Sequence, residues 1–462
     1  KIGKVLLKKQ IDLEILNLLT VLYIDLNQVA QGIKFYEELD NLFDGNIDIK
    51  KNLIKLKNLH IKDYKYIELK INEILKKNPE DLETVNTKLE LLRITNKYQE
   101  AIKYINEIKK NKKIKLNFNT YSIIGTIYHL LNFFEEAKKN YQLSIKLGNK
   151  NSNVYTNIAL IYQSLGELEK SKENYKKALK KNKTNKEAFR SLAFINGISS
   201  KNKITKNIEN LITNKKINKD LHEYAFGLSK IYDTEKNYIK ASKFLKIANK
   251  DKCINLNNES NKELRQIRSI KRMYVNDDFK SKINTKNKKM IPIFIIGMPR
   301  TGSTLLEQIL TMDDDIKGYG ELKYLERAAQ EEVKKSNIKS RLISSYKDIW
   351  PKVGKNYINQ IKSNFGESKY FIDKMPYNFL NIGIIQRSLP QSKIIHIYRN
   401  KNDNLLSLYQ QRFDEGNAYT HDIEALKTYY KEYIELMDFW NLEYKKDIYN
   451  VSYENIIYEF NK

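Results

Sequence analysis

An apolar run, Ile291-Pro292-Ile293-Phe294-Ile295-Ile296, stops at a tight turn, Gly297-Met298-Pro299-Arg300-Thr301-Gly302. Ser303 and Thr304 then open a stretch with Leu305, Leu306, Ile309 and Leu310 at helical spacing. A buried strand feeding a helix through so few residues aims several backbone N–H groups at one point, and the positive end of the helix dipole reinforces them. That point is an anion site, and it commits this part of the chain to an α/β arrangement with its ligand at a strand end.

The glycine spacing copies that of a P-loop, yet Ser303 stands where the nucleotide-binding lysine belongs. Arg300 lies inside the turn instead, and its planar five-donor fork suits a pair of phosphate or sulfate oxygens. An ordinary ATPase or phosphotransferase reading is therefore disfavoured, also for want of an evident magnesium-binding aspartate on a neighbouring strand.

The run Gly297 to Leu305 resembles the 5′-phosphosulfate loop of sulfotransferases, enzymes that use 3′-phosphoadenosine 5′-phosphosulfate (PAPS). The resemblance implies that Gly297, Pro299, Arg300, Thr301, Gly302, Ser303 and Thr304 hold the donor. It also implies a 3′-phosphate site, matched by Arg399 at the end of Lys393-Ile394-Ile395-His396-Ile397-Tyr398-Arg399 and by Ser407 on the next helix. The spacing is physically apt, because a hydroxyl about two turns along that helix can meet the arginine fork on one phosphate. Asp373-Lys374-Met375-Pro376-Tyr377-Asn378-Phe379 is similar to bacterial sulfotransferases that carry tetratricopeptide repeats, and the likeness continues through Glu424-Ala425-Leu426, Tyr429-Tyr430 and Val451-Ser452-Tyr453-Glu454. Gly320-Glu321 resembles the segment that supplies the catalytic glutamate of tyrosylprotein sulfotransferases, although Lys323 stands where those have arginine.

Sulfuryl transfer to a hydroxyl needs a base and cations facing the sulfuryl oxygens. The expected base is Glu321, and the expected cations are Lys374 and Arg300; these side chains need no catalytic metal beside them. His396, inside an apolar strand, reads as a core residue.

The first half reads as an array. Tyr121, Ile124, Gly125, Tyr128, Ala137, Tyr141 and Ser144 fall in one 34-residue tetratricopeptide register, and Tyr155, Ile158, Ala159, Tyr162, Ser171, Tyr175 and Ala178 in the next, with Gly166 at the turn. Weaker units span Leu53 to Pro79, Val85 to Ile108, Phe189 to Leu211 and Ala225 to Ala248, and a seventh extends over Ile15 to Leu42. Paired antiparallel helices in such a series stack into an α-solenoid, whose tyrosines pack one repeat on another and whose concave face suits protein docking. The pattern predicts a solenoid over residues 1–255, a helical and polar linker over 256–289 with a basic helix at Leu264 to Met273, and a P-loop-like α/β domain with a parallel sheet over 290–462.

The net charge of +27 resembles a nucleic-acid or membrane signature, but the lysines are spread along the helices as solvated faces do. Arginine is placed more selectively: of eleven, nine lie in the C-terminal part, Arg300 and Arg399 among them. The single Cys253 precludes an intrachain disulfide, and the five histidines show no paired ligand spacing. The apolar run Met290 to Met298 is about half a membrane span. These features set the expectation of a cytoplasmic protein, with an N-terminal signal left open because the sequence starts at Lys1. The resemblance also implies a further donor-contacting segment beyond Lys462.

Two kinds of acceptor fit, a protein or peptide hydroxyl such as tyrosine, favoured by the repeats, and a saccharide or small molecule. The competing reading is a non-catalytic repeat scaffold whose α/β part senses a nucleotide.

Overall fold

The computed structural model describes residues 13–43, 46–60, 62–217, 219–254, 256–275, 290–336, 348–413 and 416–459. The expected polar linker at Ser281 to Lys289 lies outside them. The first part is all helical: Leu13–Asp25 with Val29–Leu42, Ile47–His60 with Tyr64–Lys77, Leu82–Ile94 with Tyr98–Lys110, Phe118–Leu130 with Phe134–Lys146, Ser152–Ser164 with Leu168–Lys181, and Lys186–Phe194 with Lys203–Thr213. Leu221–Thr234 and Tyr238–Ile254 form one further pair. The pattern at Ile15 to Leu42 is therefore a helix pair like the others.

Side-chain shape explains the register. Gly125 is fixed by close approach, since a Cβ there would lie 2.9 Å from the Tyr141 ring. Tyr141 is buried and its hydroxyl lies 2.9 Å from Thr126 Oγ1. Ser171 donates to Ala159 O at 2.8 Å, tying the two helices of its pair where both residues are small. The inter-helix turns need a left-handed residue, which is Gly166 in one pair and Asn27, Asn96, Asn132, Asn196 or Lys236 in others. Asparagine tolerates this conformation better than other side chains with a Cβ, so these turn asparagines have a backbone role.

By packing, the chain divides into Lys1–Ile208 and Glu209–Lys462. This division falls ahead of the 255 boundary that the repeat pattern suggests. Within the second unit Asn249 donates to Tyr409 O at 2.9 Å, and Arg412 pairs with Glu223 at 2.8 Å. The final repeat helices thus make polar contacts with the α/β elements, which repeat periodicity does not encode. The helix Asn257–Val275, longer than the basic stretch expected there, lies along Ile423–Glu443 with Arg268 to Glu432 at 2.7 Å.

Five strands form a parallel sheet in the order β2-β3-β1-β4-β5: β1 Ile291–Ile296, β2 Ile316–Gly318, β3 Tyr370–Asp373, β4 Lys393–Tyr398 and β5 Ile448–Ser452. Alternate residues of β1 serve opposite faces: Phe294 and Ile296 join Trp350, Tyr357 and Trp440, while Ile293 and Ile295 join Leu306, Ile372 and Ile397. Burial on both faces is why β1 reads as an unbroken apolar run. The chain leaves β1 for β2 and β3 on one side and later returns to add β4 and β5 on the other. The order reverses beside β1, which opens a crevice at the carboxyl ends of β3, β1 and β4.

Candidate functional site

The turn after β1 is fixed by contacts that only particular residues permit. Gly297 has φ 147°, and a Cβ there would lie 2.2 Å from Ile397 O on β4. Gly302, at φ 96°, caps the helix Ser303–Leu310 and faces the ring of Tyr453, which a Cβ would approach to 2.3 Å. Between them Arg300 adopts a left-handed φ of 69°. A non-glycine residue in that region carries local strain, tolerated here where the backbone must turn the guanidinium outward.

Neighbours hold the turn. Asn404, buried on the helix Lys401–Gln410, donates to Pro299 O at 2.9 Å, and Gly297 N donates to Pro376 O at 3.1 Å. Thr301 is buried and its hydroxyl donates to Met298 O at 2.8 Å, so that hydroxyl stabilises the loop from within. Ser303 is nearly buried and Thr304 is exposed at the start of the helix. No side chain caps that N-terminus, which leaves its first amides to an incoming anion.

The two expected phosphate sites meet. Arg300 Nε donates to Ser407 Oγ at 3.2 Å, and Arg399 Nη1 reaches Arg300 O at 3.5 Å. Arg399 also lies 4.8 Å from the centre of the Tyr453 ring, and its Nε is buried with no hydrogen-bond partner. A buried cationic donor left unpaired is costly, and a phosphate oxygen is a partner that would relieve it. Asn400 caps the Lys401–Gln410 helix through Asn402 N and Asp403 N, fixing the angle at which Ser407 is presented.

Glu321 and Lys374 form a second focus. Lys374 is buried and donates to Glu321 Oε1 at 3.1 Å, whereas the Glu321 side chain is more than half exposed. Main-chain bonds set the pair: Lys374 N donates to Gly320 O at 2.9 Å, and Gly320 N donates to Glu307 Oε1 at 2.9 Å. Glu307 belongs to the helix that follows the anion loop, so that helix also fixes the segment carrying Glu321.

Beneath this pair lies Asp373, fully buried and hydrogen-bonded by the Tyr357 hydroxyl at 2.9 Å and by Met375 N at 3.2 Å. Desolvation pushes its carboxyl up to about 7, against the hydrogen bonds it accepts from Tyr357, Met375 and Leu322. Asp373, Asn404, Glu307 and the ring of Tyr453 were not among the residues expected from sequence. Asp373 and Tyr453 stood in recognised runs, but nothing in a single sequence marks a buried support. His396 is a core residue as expected, held by Asn450 at 2.7 Å and Tyr433 at 2.5 Å.

Residues 292–461 match the family model described as Sulfotransferase family, and residues 152–185 match a tetratricopeptide repeat. The chain thus carries a sulfotransferase-family domain behind a tetratricopeptide solenoid. An uncharacterized protein of Aquifex aeolicus (strain VF5) is 27% identical over 179 residues, which are 36% of this chain and 24% of that protein. The chain therefore spans about a quarter of that relative's length. Among solved structures, one of MamA covers 40% of this chain and 95% of its own at 19% identity and a TM-score of 0.28. The type IV pilus biogenesis factor PilW covers 45% and 95% at 13% identity and a TM-score of 0.38. Among the described residues no helix is long and apolar enough to cross a membrane.

Proposed function

We propose that this chain catalyses transfer of a sulfuryl group from PAPS to an acceptor hydroxyl, with a protein hydroxyl such as tyrosine as the favoured acceptor. The observation that carries this reading is the meeting of Arg300 and Ser407 beside Arg399 and its unpaired Nε. A donor with phosphate groups at both ends of its ribose needs two anion sites a few ångströms apart, and the crevice offers an uncapped helix N-terminus and an arginine pair.

Bound there, PAPS would supply an activated sulfuryl group on a phosphate leaving group. The amides of Gly302, Ser303 and Thr304 would take the 5′-phosphate, and Arg399 with Ser407 the 3′-phosphate. Arg300 and Lys374 would face the sulfuryl oxygens, where charge builds up. Glu321 would accept the acceptor's proton as the new oxygen–sulfur bond forms and the old one breaks, the electron pair of that bond leaving with the phosphate. Lys374 pairs with Glu321 at 3.1 Å; an approaching sulfuryl group would draw the ammonium toward it and leave the carboxylate as the base.

A protein acceptor is favoured by the solenoid. Its first repeats carry a groove of about 580 Å³ lined by Asn17, Asn52, Asn58, Asn86, Lys51 and Glu83 among others. Amide side chains of this kind can pair with an extended peptide backbone, and Asn86 Oδ1 is buried there with no partner. The test is transfer of radiolabelled sulfate from PAPS to tyrosine-containing peptides, proteins and saccharides. Label on a tyrosine peptide supports the reading, label only on saccharides replaces the acceptor class, and no label on any acceptor removes the transferase assignment.

A further inference from the structure

Asp373 ends β3 immediately before Lys374, in register with Phe294 of β1. Its carboxyl group is sealed from solvent, so it cannot touch donor or acceptor. What it does touch lies on both sides of the Glu321–Lys374 pair. Met375 N, one residue past Lys374, donates to Asp373 Oδ1 at 3.2 Å, and the amide of Leu322, one residue past Glu321, faces the same carboxyl group. The hydroxyl of Tyr357, itself fully buried and packed on Phe294 at 5.9 Å, holds Oδ2.

We propose that Asp373 is the positioning residue of the Glu321–Lys374 pair, one carboxyl group that pins the backbone on which each partner rides. The inference rests on the reading of that pair as base and cation, and it gives a reason for a buried acid to survive at a sheet end where an apolar residue would pack at lower cost. Two charged side chains on separate loops drift by more than a reaction tolerates unless their main chains share an anchor. The two amides lie on different segments, 53 residues apart like the pair itself, and Tyr357 orients the anchor from the core. Lys374 N bonded to Gly320 O at 2.9 Å ties the same two segments directly through the main chain.

The test uses the full chain and three forms, wild type, Asp373→Ala and Asp373→Asn. Alanine removes every acceptor, whereas asparagine retains the oxygen that accepts from Met375 N. Hydrogen exchange at the Leu322 and Met375 amides should quicken at least tenfold in Asp373→Ala and return most of the way in Asp373→Asn, while the amides of 303–306 stay unchanged. With PAPS and an acceptor, kcat should fall at least tenfold in Asp373→Ala with donor KM within twofold, and recover in Asp373→Asn. Unchanged exchange at both amides overturns the proposal, as does a kcat loss matched by a rise in donor KM or shared equally by the asparagine form. If alanine does not fold, Asp373→Val, which likewise carries no acceptor, takes its place under the same criteria. Absence of any turnover in the wild type would sink the sulfuryl-transfer reading alone, since the exchange comparison decides the anchoring role without it.

Discussion

Arg300 donates from Nε to the hydroxyl of Ser407 across 3.2 Å, although 107 residues separate them. One stands in the turn after β1 and the other on the helix after β4, so the bond joins the two segments that flank the switch in strand order. With Arg399 Nη1 against Arg300 O, it makes one polar patch from two motifs.

If that patch binds a phosphate, geometry should matter as much as charge. Arg399→Lys keeps the charge but loses the fork, and Ser407→Ala loses the hydroxyl. Each should weaken binding of adenosine 3′,5′-bisphosphate by about 1.5–3 kcal/mol, the range for a hydrogen bond to a charged group. Calorimetric titration of both variants measures this; affinity unchanged in both would remove the patch from the donor site.

Glu321→Gln should leave nucleotide binding within twofold and lower kcat by about 10²–10⁴-fold, the usual contribution of a general base. Lys374→Ala should also lower kcat, and it leaves Glu321 without its ion-pair partner. Steady-state kinetics with both substrates varied separate these effects from donor affinity. A Glu321→Gln enzyme of full activity would assign the proton to another group.

Asp373 gives stability a pH signature. Its folded-state carboxyl is pushed up to about 7 from the ordinary 3.8, so between those values the folded protein binds more protons than the unfolded chain. Its contribution therefore falls as pH rises through this window, by at most about 1.4 kcal/mol per pH unit. His421 acts in the opposite sense. Burial first, with Lys252, His222 and Arg412 adding to it, holds its imidazole down at about 4 instead of 6.5, so its contribution is lost as pH falls from 6.5 toward 4. Urea unfolding from pH 4 to 7 should show Asp373→Asn gaining on the wild type as pH rises. Parallel curves for the two proteins would contradict the raised carboxyl.

Gly297→Ala should be the most damaging single change in the anion loop. The new methyl would meet the backbone oxygen of Ile397, which cannot move without breaking β4 away from β1, and φ 147° adds strain. The sum of a left-handed penalty and overpacking is about 2–5 kcal/mol. Thermal unfolding should show the loss, whereas Gly320→Ala, also at positive φ but with open space around its Cβ position, should lose only the backbone part.

The sequence was most readable where chemistry is local. A strand, a glycine turn and a helix onset leave a period and a composition, so the anion loop, the parallel sheet and the repeat helices could be read before any coordinates. What the sequence hid was non-local. The local exception is Thr301, which belongs to the loop motif but turns its hydroxyl inward to Met298 O. Asn404 supports Pro299 from 105 residues away, and Glu307 fixes Gly320 from the helix after the anion loop. Asp373 sits in a recognised run, yet its isolation from water depends on Tyr357 and the sheet above it. The turn asparagines were passed over for a related reason, since a lone asparagine reads as polar surface until its φ is seen to be positive.

The claim that two motifs form one donor site is tested most directly by calorimetric titration of adenosine 3′,5′-bisphosphate into the wild type and Arg399→Ala, with ATP as the comparison ligand. The account predicts micromolar binding of the bisphosphate, weaker binding of ATP, and loss of at least tenfold in affinity in Arg399→Ala. Tighter binding of ATP, or bisphosphate binding indifferent to Arg399, would contradict it.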